Sequence, residues 1–413
     1  MQGNSPTKNW TSYWEYIPFV LCIVSLFFSR FLLSVSVGLM LLYTVWFAIK
    51  RKSTFVKTIT GHAKSLLILL SVWILFVLID GFRSTDLDAW LTEFALKIPL
   101  LIVPLYVLAL DRDSCRIRNI WLMFTIITVA VALISTINYW LHYEAINVLL
   151  LQSKHVPIFG NMHHIYFGIV MSLVVWVCVY YFQKQTYKKL WIACSSLLVF
   201  MLHILASRTG LVAFYVSVAV FGVAYIWQSK KYKLLVVGLV LFGSLPLIAY
   251  KISGSFRNKV FNSVEDFHAV STGEDINYKS LAMRIEAWKT SLHVIEQNGL
   301  IGVGSTQIDR VMQKQYRDDK TVLYLENRVG PHNQFLEMTM AYGWLGGLLL
   351  ICVVGIVIRA FYKDSALLAL VSVFLLSFML ESVLERQQGI LVFCLVIFSF
   401  IPVPSKTEKE TQP

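Results

Sequence analysis

The chain has 413 residues, 57% of them hydrophobic, with a mean hydropathy of +0.66 and a formal net charge of +12. A soluble domain is typically about 45–50% apolar; here the excess is gathered into blocks of helix-spanning length, so lipid is the natural solvent. The basic balance does not indicate nucleic acid, because much of it lies in short loops between apolar blocks, where membrane topology places it.

The apolar blocks run over 14–29, 31–49, 65–79, 95–110, 120–141, 165–182, 190–206, 211–227, 233–249, 334–358, 366–380 and 390–402. They predict an all-α integral membrane protein with about 12 transmembrane helices. The shorter blocks borrow flanking aromatics such as Trp14, Tyr139 and Trp140. One set of alternate loops carries Lys50, Arg51, Lys52, Lys57, Lys64, then Arg112, Arg116, Arg118, then Lys184, Lys188, Lys189, then Lys230, Lys231, Lys233, then Arg359 and Lys363. The other short loops hold only Arg30, Arg83, Lys154, Arg208 and Arg386. The positive-inside bias then makes the first set and both termini cytoplasmic. The N-terminus lacks the pattern of a cleaved leader, so the first span is expected to stay as an anchor.

Between the ninth and tenth blocks, 250–333 forms a large extracytoplasmic loop, which divides the chain into 1–249, 250–333, 334–402 and a cytoplasmic tail 403–413. The tail is polar and expected to be disordered. Within the loop, Leu281, Ile285, Trp288, Leu292 and Ile295 recur at spacings of four and three, one face of an amphipathic helix that Asn298-Gly299 would stop. None of the six cysteines lies in this loop, so no structural disulfide is expected there. No zinc spacing appears.

Ionisable residues at membrane depth are costly and usually functional. Arg208, in the tight turn Ser207-Arg208-Thr209-Gly210, reads either as an anion-binding arginine or as a snorkelling one that marks a helix end. Arg284 lies off the apolar stripe and can face solvent, pair within its own helix or make a cap interaction. His332, in Gly330-Pro331-His332-Asn333, stands where the loop returns to the membrane. A helix N-terminus disfavours imidazolium, and a neutral histidine at such a boundary is a fair general base; the plainer reading is an interfacial histidine. Asn333 can satisfy free N–H groups there. Gly299 to Gly304 is glycine-rich without a Lys-Ser/Thr and reads as a turn with close backbone approach. Asp86-Leu87-Asp88 has a weak metal-phosphate spacing. His155, His163 and His164 lack a nearby carboxylate, and adjacent histidines on a helix point apart, which argues against a metal.

Arg208-Thr209-Gly210, Arg284 to Trp288, Gly302-Val303-Gly304, Pro331 to Leu336 and Gly343 to Gly346, in this order, resemble the O-antigen ligase/polymerase superfamily. The likeness is strong from about 200 to 350, and Gly160 to His164 resembles the segment before the family's sixth helix. The resemblance implies a GT-C-like glycosyltransferase of the bacterial inner membrane, with its active site on the periplasmic side and no cofactor. It implies a glycan moved from undecaprenyl diphosphate onto an acceptor hydroxyl, with Arg208 and Arg284 clamping the diphosphate and His332 as base. Two arginines can stand in for a metal, so the transfer is expected to be metal-independent and inverting. Asn161, His163, Trp288, Asn333, Glu381 and Arg386 are further candidates to line the cavity, although Glu381, Glu385 and Arg386 can equally form ion pairs. Chain size and the single moderate loop favour a ligase acting on lipid A–core. A polysaccharide polymerase, a protein O-oligosaccharyltransferase and a transporter are the alternatives; a transporter should place its charges at the midplane and on broken helices.

Overall fold

The computed structural model describes residues 13–51, 59–110, 114–152, 154–229 and 232–402, without the side chains of 232–237 and 239–241. The tail 403–413 and the loop charges Lys52, Lys57, Arg112, Lys230 and Lys231 lie outside the described residues. The described residues form α-helices and short 3₁₀ turns, with no strand among them.

Every apolar block lies on helix. The helices before the 250–333 segment are α1 (Ile17–Phe28), α2 (Arg30–Lys50), α3 (Gly61–Gly81), α4 (Leu87–Lys97), α5 (Pro99–Ala109), α6 (Ser114–Leu141), α7 (Tyr143–Leu151), α8 (His164–Gln183), α9 (Lys188–Leu205), α10 (Arg208–Ser229) and α11 (Tyr232–Ile252), of which α7 and most of α4 lie outside the apolar blocks. After the 250–333 segment come α15 (Gln334–Phe361), α16 (Ser365–Leu380) and α17 (Gln387–Phe400). Among the described residues, eight helical units, with Leu87–Ala109 counted as one, are long and apolar enough to cross a membrane, and four shorter apolar helices accompany them. Asp86 caps α4 by accepting from Ala89 N at 2.9 Å, which accounts for one acid of the Asp-Leu-Asp run.

The centre is built from α8, α10 and α16, which pack on one another. Helix α8 is apolar on all faces, and 78% of its apolar window is buried against 33–50% for the other spans. Its contact with α10 explains the glycine of the Arg-Thr-Gly turn. A Cβ on Gly210 would lie 2.6 Å from the Gly168 carbonyl carbon, and Ser172 Oγ donates to the Gly210 carbonyl oxygen at 2.8 Å. This close approach sets where α10 begins, and hence where Arg208 sits.

The second glycine device is a kink. Helix α15 leaves helical geometry at Gly343, φ 70°, and the 299–304 turn bonds to the backbone around it. Val303 N donates to Met340 O at 2.8 Å, Gly304 N to Ala341 O at 3.0 Å and Trp344 N to Gly299 O at 2.8 Å. The turn is tied to α3, because Ser305 N and Oγ both donate to Asp80 Oδ2, at 2.8 and 3.0 Å. The glycine-rich run is thus a turn with close backbone approach, as its sequence suggests.

The 250–333 segment is more ordered than the pattern predicts. It holds α12 (Gly254–Thr272), α13 (Ser280–Asn298) and α14 (Ile308–Asp318). Helix α13 ends at the expected Asn298, but its buried face is Ala282, Ala287, Thr290, Ser291, Val294 and Ile295, while the predicted stripe residue Leu292 is 49% exposed. The small side chains turn inward because α13 packs against α12, α14 and α15 together.

Candidate active site

Arg284 lies in the second turn of α13. Its Nη1 donates to the Leu380 carbonyl oxygen and its Nη2 to Glu381 Oε2 at 2.8 Å. This corrects the expectation that it faces solvent or pairs within its own helix. Glu381, extended at the C-terminal cap of α16, presents its other oxygen, Oε1, to His332 Nδ1 at 2.7 Å. One carboxylate therefore joins the arginine and the histidine. Burial alone would raise the Glu381 carboxyl, but the His332 hydrogen bond and charge, and then the Arg284 guanidinium, outweigh it and hold Glu381 below the usual carboxylate range.

The pairing decides how His332 is presented. An ionised carboxylate only accepts, so Nδ1 carries a proton, and in the neutral ring the lone pair is on Nε2. His332 sits just before α15 with left-handed backbone, φ 43°, a strained conformation that functional sites often retain. Asn333 is the N-cap of α15 and accepts from Phe335 N and Leu336 N at 2.9 and 3.1 Å.

Arg208 Nη1 donates to Asp266 Oδ2 at 3.0 Å, and the same oxygen accepts from Leu281 N at 3.0 Å. The start of α10 is thereby fastened to the start of α13, near Arg284. Burial, and then the charge of Arg208, pull Lys259 down to about 8. Arg208 Nε and Trp288 Nε1 are buried donors without a hydrogen-bond partner among the described residues.

His163 is held below the ordinary histidine value, first by burial, with the charges of Arg386 and His332 adding and Glu381 opposing. Arg386 is exposed, and its guanidinium makes no hydrogen bond or ion pair among the described residues. The rings of His163 and His164 lie 4.2 Å apart, and those of His155 and His164 are stacked at 3.7 Å. Adjacency does not splay them, because His163 is the extended N-cap residue outside α8. Among the described residues no group of three His, Cys, Asp or Glu side chains could hold a metal. Asn161 is engaged elsewhere: its N and Nδ2 donate to Phe27 O and Phe28 O at 2.7 and 2.6 Å, tying the loop to the end of α1.

A second polar cluster adjoins Glu381 through the turn that follows it. The fully buried Lys97 donates to Leu384 O at 2.7 Å and to Glu385 Oε2 at 2.6 Å, with Glu93 at 3.4 Å. Gln334 donates to Glu385 Oε1 at 2.8 Å and accepts from Leu384 N at 2.6 Å, and Ser382 Oγ donates to Glu337 Oε2 at 2.9 Å. Sequence reading passed over Lys97, although an ionisable residue inside an apolar block is itself a signal.

Apolar helices with a charged cluster gathered from the ends of α8, α10, α15 and α16 and from α13 define a multi-pass membrane protein with a polar site at one end of its bundle. Residues 192–351 match the family model described as O-antigen ligase. This segment contains Arg208, Arg284 and His332, while Glu381 lies beyond it. The chain is also 25% identical over 219 residues to an uncharacterized protein of Haemophilus influenzae. That match covers 50% of this chain and 53% of the relative, so it spans about half the relative's length.

Proposed function

We propose that the protein is an O-antigen ligase of the bacterial inner membrane, with 12 spans, both termini cytoplasmic and 250–333 in the periplasm. It moves a glycan from undecaprenyl diphosphate to a hydroxyl of lipid A–core. The Arg284–Glu381–His332 chain is the observation that carries this reading. It puts a fixed cation and an oriented imidazole on one carboxylate, which suits a reaction that loses a proton at one end and builds charge on phosphate at the other.

His332 Nε2 takes the acceptor hydroxyl proton as that oxygen attacks the anomeric carbon. The bond from that carbon to the diphosphate oxygen breaks, and undecaprenyl diphosphate leaves with the electron pair, inverting the anomeric centre. Phosphate oxygens are weak bases (second pKa about 6), so the leaving group needs no general acid. Arg208 and Arg284 clamp the diphosphate, since each guanidinium keeps N–H donors that its protein partners do not use. These fixed charges make the transfer metal-independent.

Complementation of a ligase-deficient host that carries the matching glycan pathway tests the reading. Wild type should restore mature lipopolysaccharide, and His332→Ala at equal protein level should accumulate carrier-linked glycan. If wild type lengthens carrier-linked glycan without attaching it to lipid A–core, the protein is a polymerase instead.

A further inference from the structure

Two stretches that lead into the site, 273–279 and 319–328, lie against one another. Their junction is polar and buried. Asn277 Nδ2 donates to Asp275 Oδ1 at 2.7 Å and to Val322 O at 3.1 Å, while its Oδ1 accepts from Tyr324 N at 2.8 Å and Asn327 Nδ2 at 2.9 Å. Leu323 and Tyr316 are buried nearby. On this base four large side chains stand in the open: Tyr278, Val322, Tyr324 and Leu325 are 57, 67, 52 and 67% exposed. Exposed apolar clusters of this kind mark interaction sites.

The aromatic pair is rigidly presented. The Tyr278 and Tyr324 rings meet edge to face with centroids 6.4 Å apart. The Tyr278 hydroxyl donates to Glu326 Oε1 at 3.0 Å, which fixes the ring by its tip. Tyr278 has left-handed backbone, φ 62°, a conformation that a bulky residue keeps only where its surroundings impose it.

We propose that this Tyr278–Tyr324 ledge is a glycan subsite that takes pyranose units of the donor or the acceptor beside the reacting end. The inference rests on the glycosyl-transfer reading above. Sugar rings present C–H faces that pack on aromatic faces and hydroxyls that donate to carboxylates, and the ledge offers both, with Glu326 and Asp275 at its rim. The two stretches carry Glu274, Asp275, Asp319 and Glu326 against Lys279, Lys320 and Arg328, so they lack the basic excess of segments that lie on anionic membranes, and the exposed carboxylates fit a hydroxyl-rich ligand better than a lipid surface. Both edges of the ledge run on into the site: Tyr278 precedes Arg284 by 6 residues and Leu325 precedes His332 by 7.

The test uses the full chain in nanodiscs and two probes, delipidated core oligosaccharide and free O-polysaccharide. Nitration of Tyr278 and Tyr324 by tetranitromethane is followed by mass spectrometry. One of the probes should protect both tyrosines. The double variant Tyr278→Ala/Tyr324→Ala should raise the KM of the matching substrate about tenfold at unchanged kcat, the size expected for a lost aromatic contact. A rise in donor KM places the donor glycan on the ledge, and a rise in acceptor KM the acceptor. The proposal is overturned if neither probe protects the tyrosines, or if the bilayer already shields them before glycan is added. If a probe binds while wild type transfers no glycan, the ledge stands and the ligase reading fails.

Discussion

Lys97 Nζ lies 2.7 Å from the Leu384 carbonyl oxygen, across 287 residues of chain. Together with Gln334 it holds the turn after Glu381 against the first turn of α15, so the helix that follows His332 and the strap that follows its carboxylate partner keep one register. Lys97→Met would leave Glu93 and Glu385 without their buried counter-charge. A loss of about 3–5 kcal/mol is expected for breaking such a pair, read as a lower thermal midpoint in detergent, and Lys97→Arg should recover part of it. An unchanged midpoint in Lys97→Met would show that the network does not hold the turn.

Glu381→Gln keeps the size of the side chain but removes the charge that places the proton on His332 Nδ1. The turnover number should fall by roughly 10²–10⁴. His332→Ala should fall at least as far, and the double variant no further than the larger single loss, since the two residues act as a unit. Additive losses in a purified transfer assay would separate them.

Acid stability follows from the same carboxylate. Its folded-state value is depressed below the ordinary 4.5. The unfolded chain therefore binds the proton first, and the Glu381 contribution is present above that value and lost as pH falls through the lower folded one. Unfolding midpoints should drop as pH is lowered below about 4.5, and Glu381→Gln should flatten that part of the curve. Parallel curves for the two proteins would contradict the assignment.

Arg208 holds Asp266 through Nη1, and its Nε has no hydrogen-bond partner among the described residues. Arg208→Lys retains the charge but cannot serve both directions, because an ammonium lacks the planar fork. The donor KM should rise about tenfold in Arg208→Lys and further in Arg208→Ala, with the acceptor KM unchanged. Asp266→Asn should leave the donor KM near wild type, since the guanidinium remains. A loss in Asp266→Asn equal to that in Arg208→Ala would make the pair a structural tie alone.

The apolar spans were legible from local pattern, and so was the end of α13 at Asn298. Helix α12 was missed because its apolar residues do not form one clear stripe, although Ser253 and Gly273 cap it at either end. Helix α14 shows Ile308, Met312, Gln315 and Tyr316 as a buried face, a pattern masked by its many charges. Arg208, Arg284 and His332 stood out because charge at a membrane boundary is conspicuous. Glu381 stood out only as one of several acids near the last turn.

The sequence by itself determined that the chain is helical and membrane-bound, and which boundary residues deserve chemical scrutiny. Those properties depend on hydrophobic period and on the cost of charge in lipid, both of which are local. Only the tertiary structure decided that Arg284 and His332 share Glu381, that Arg208 is held by Asp266 and that Lys97 braces Leu384. Such pairings depend on which helix ends meet. That is settled by contacts far apart in the chain, such as Gly168 against Gly210 and the 299–304 turn seated on the Gly343 kink, which no window of sequence contains.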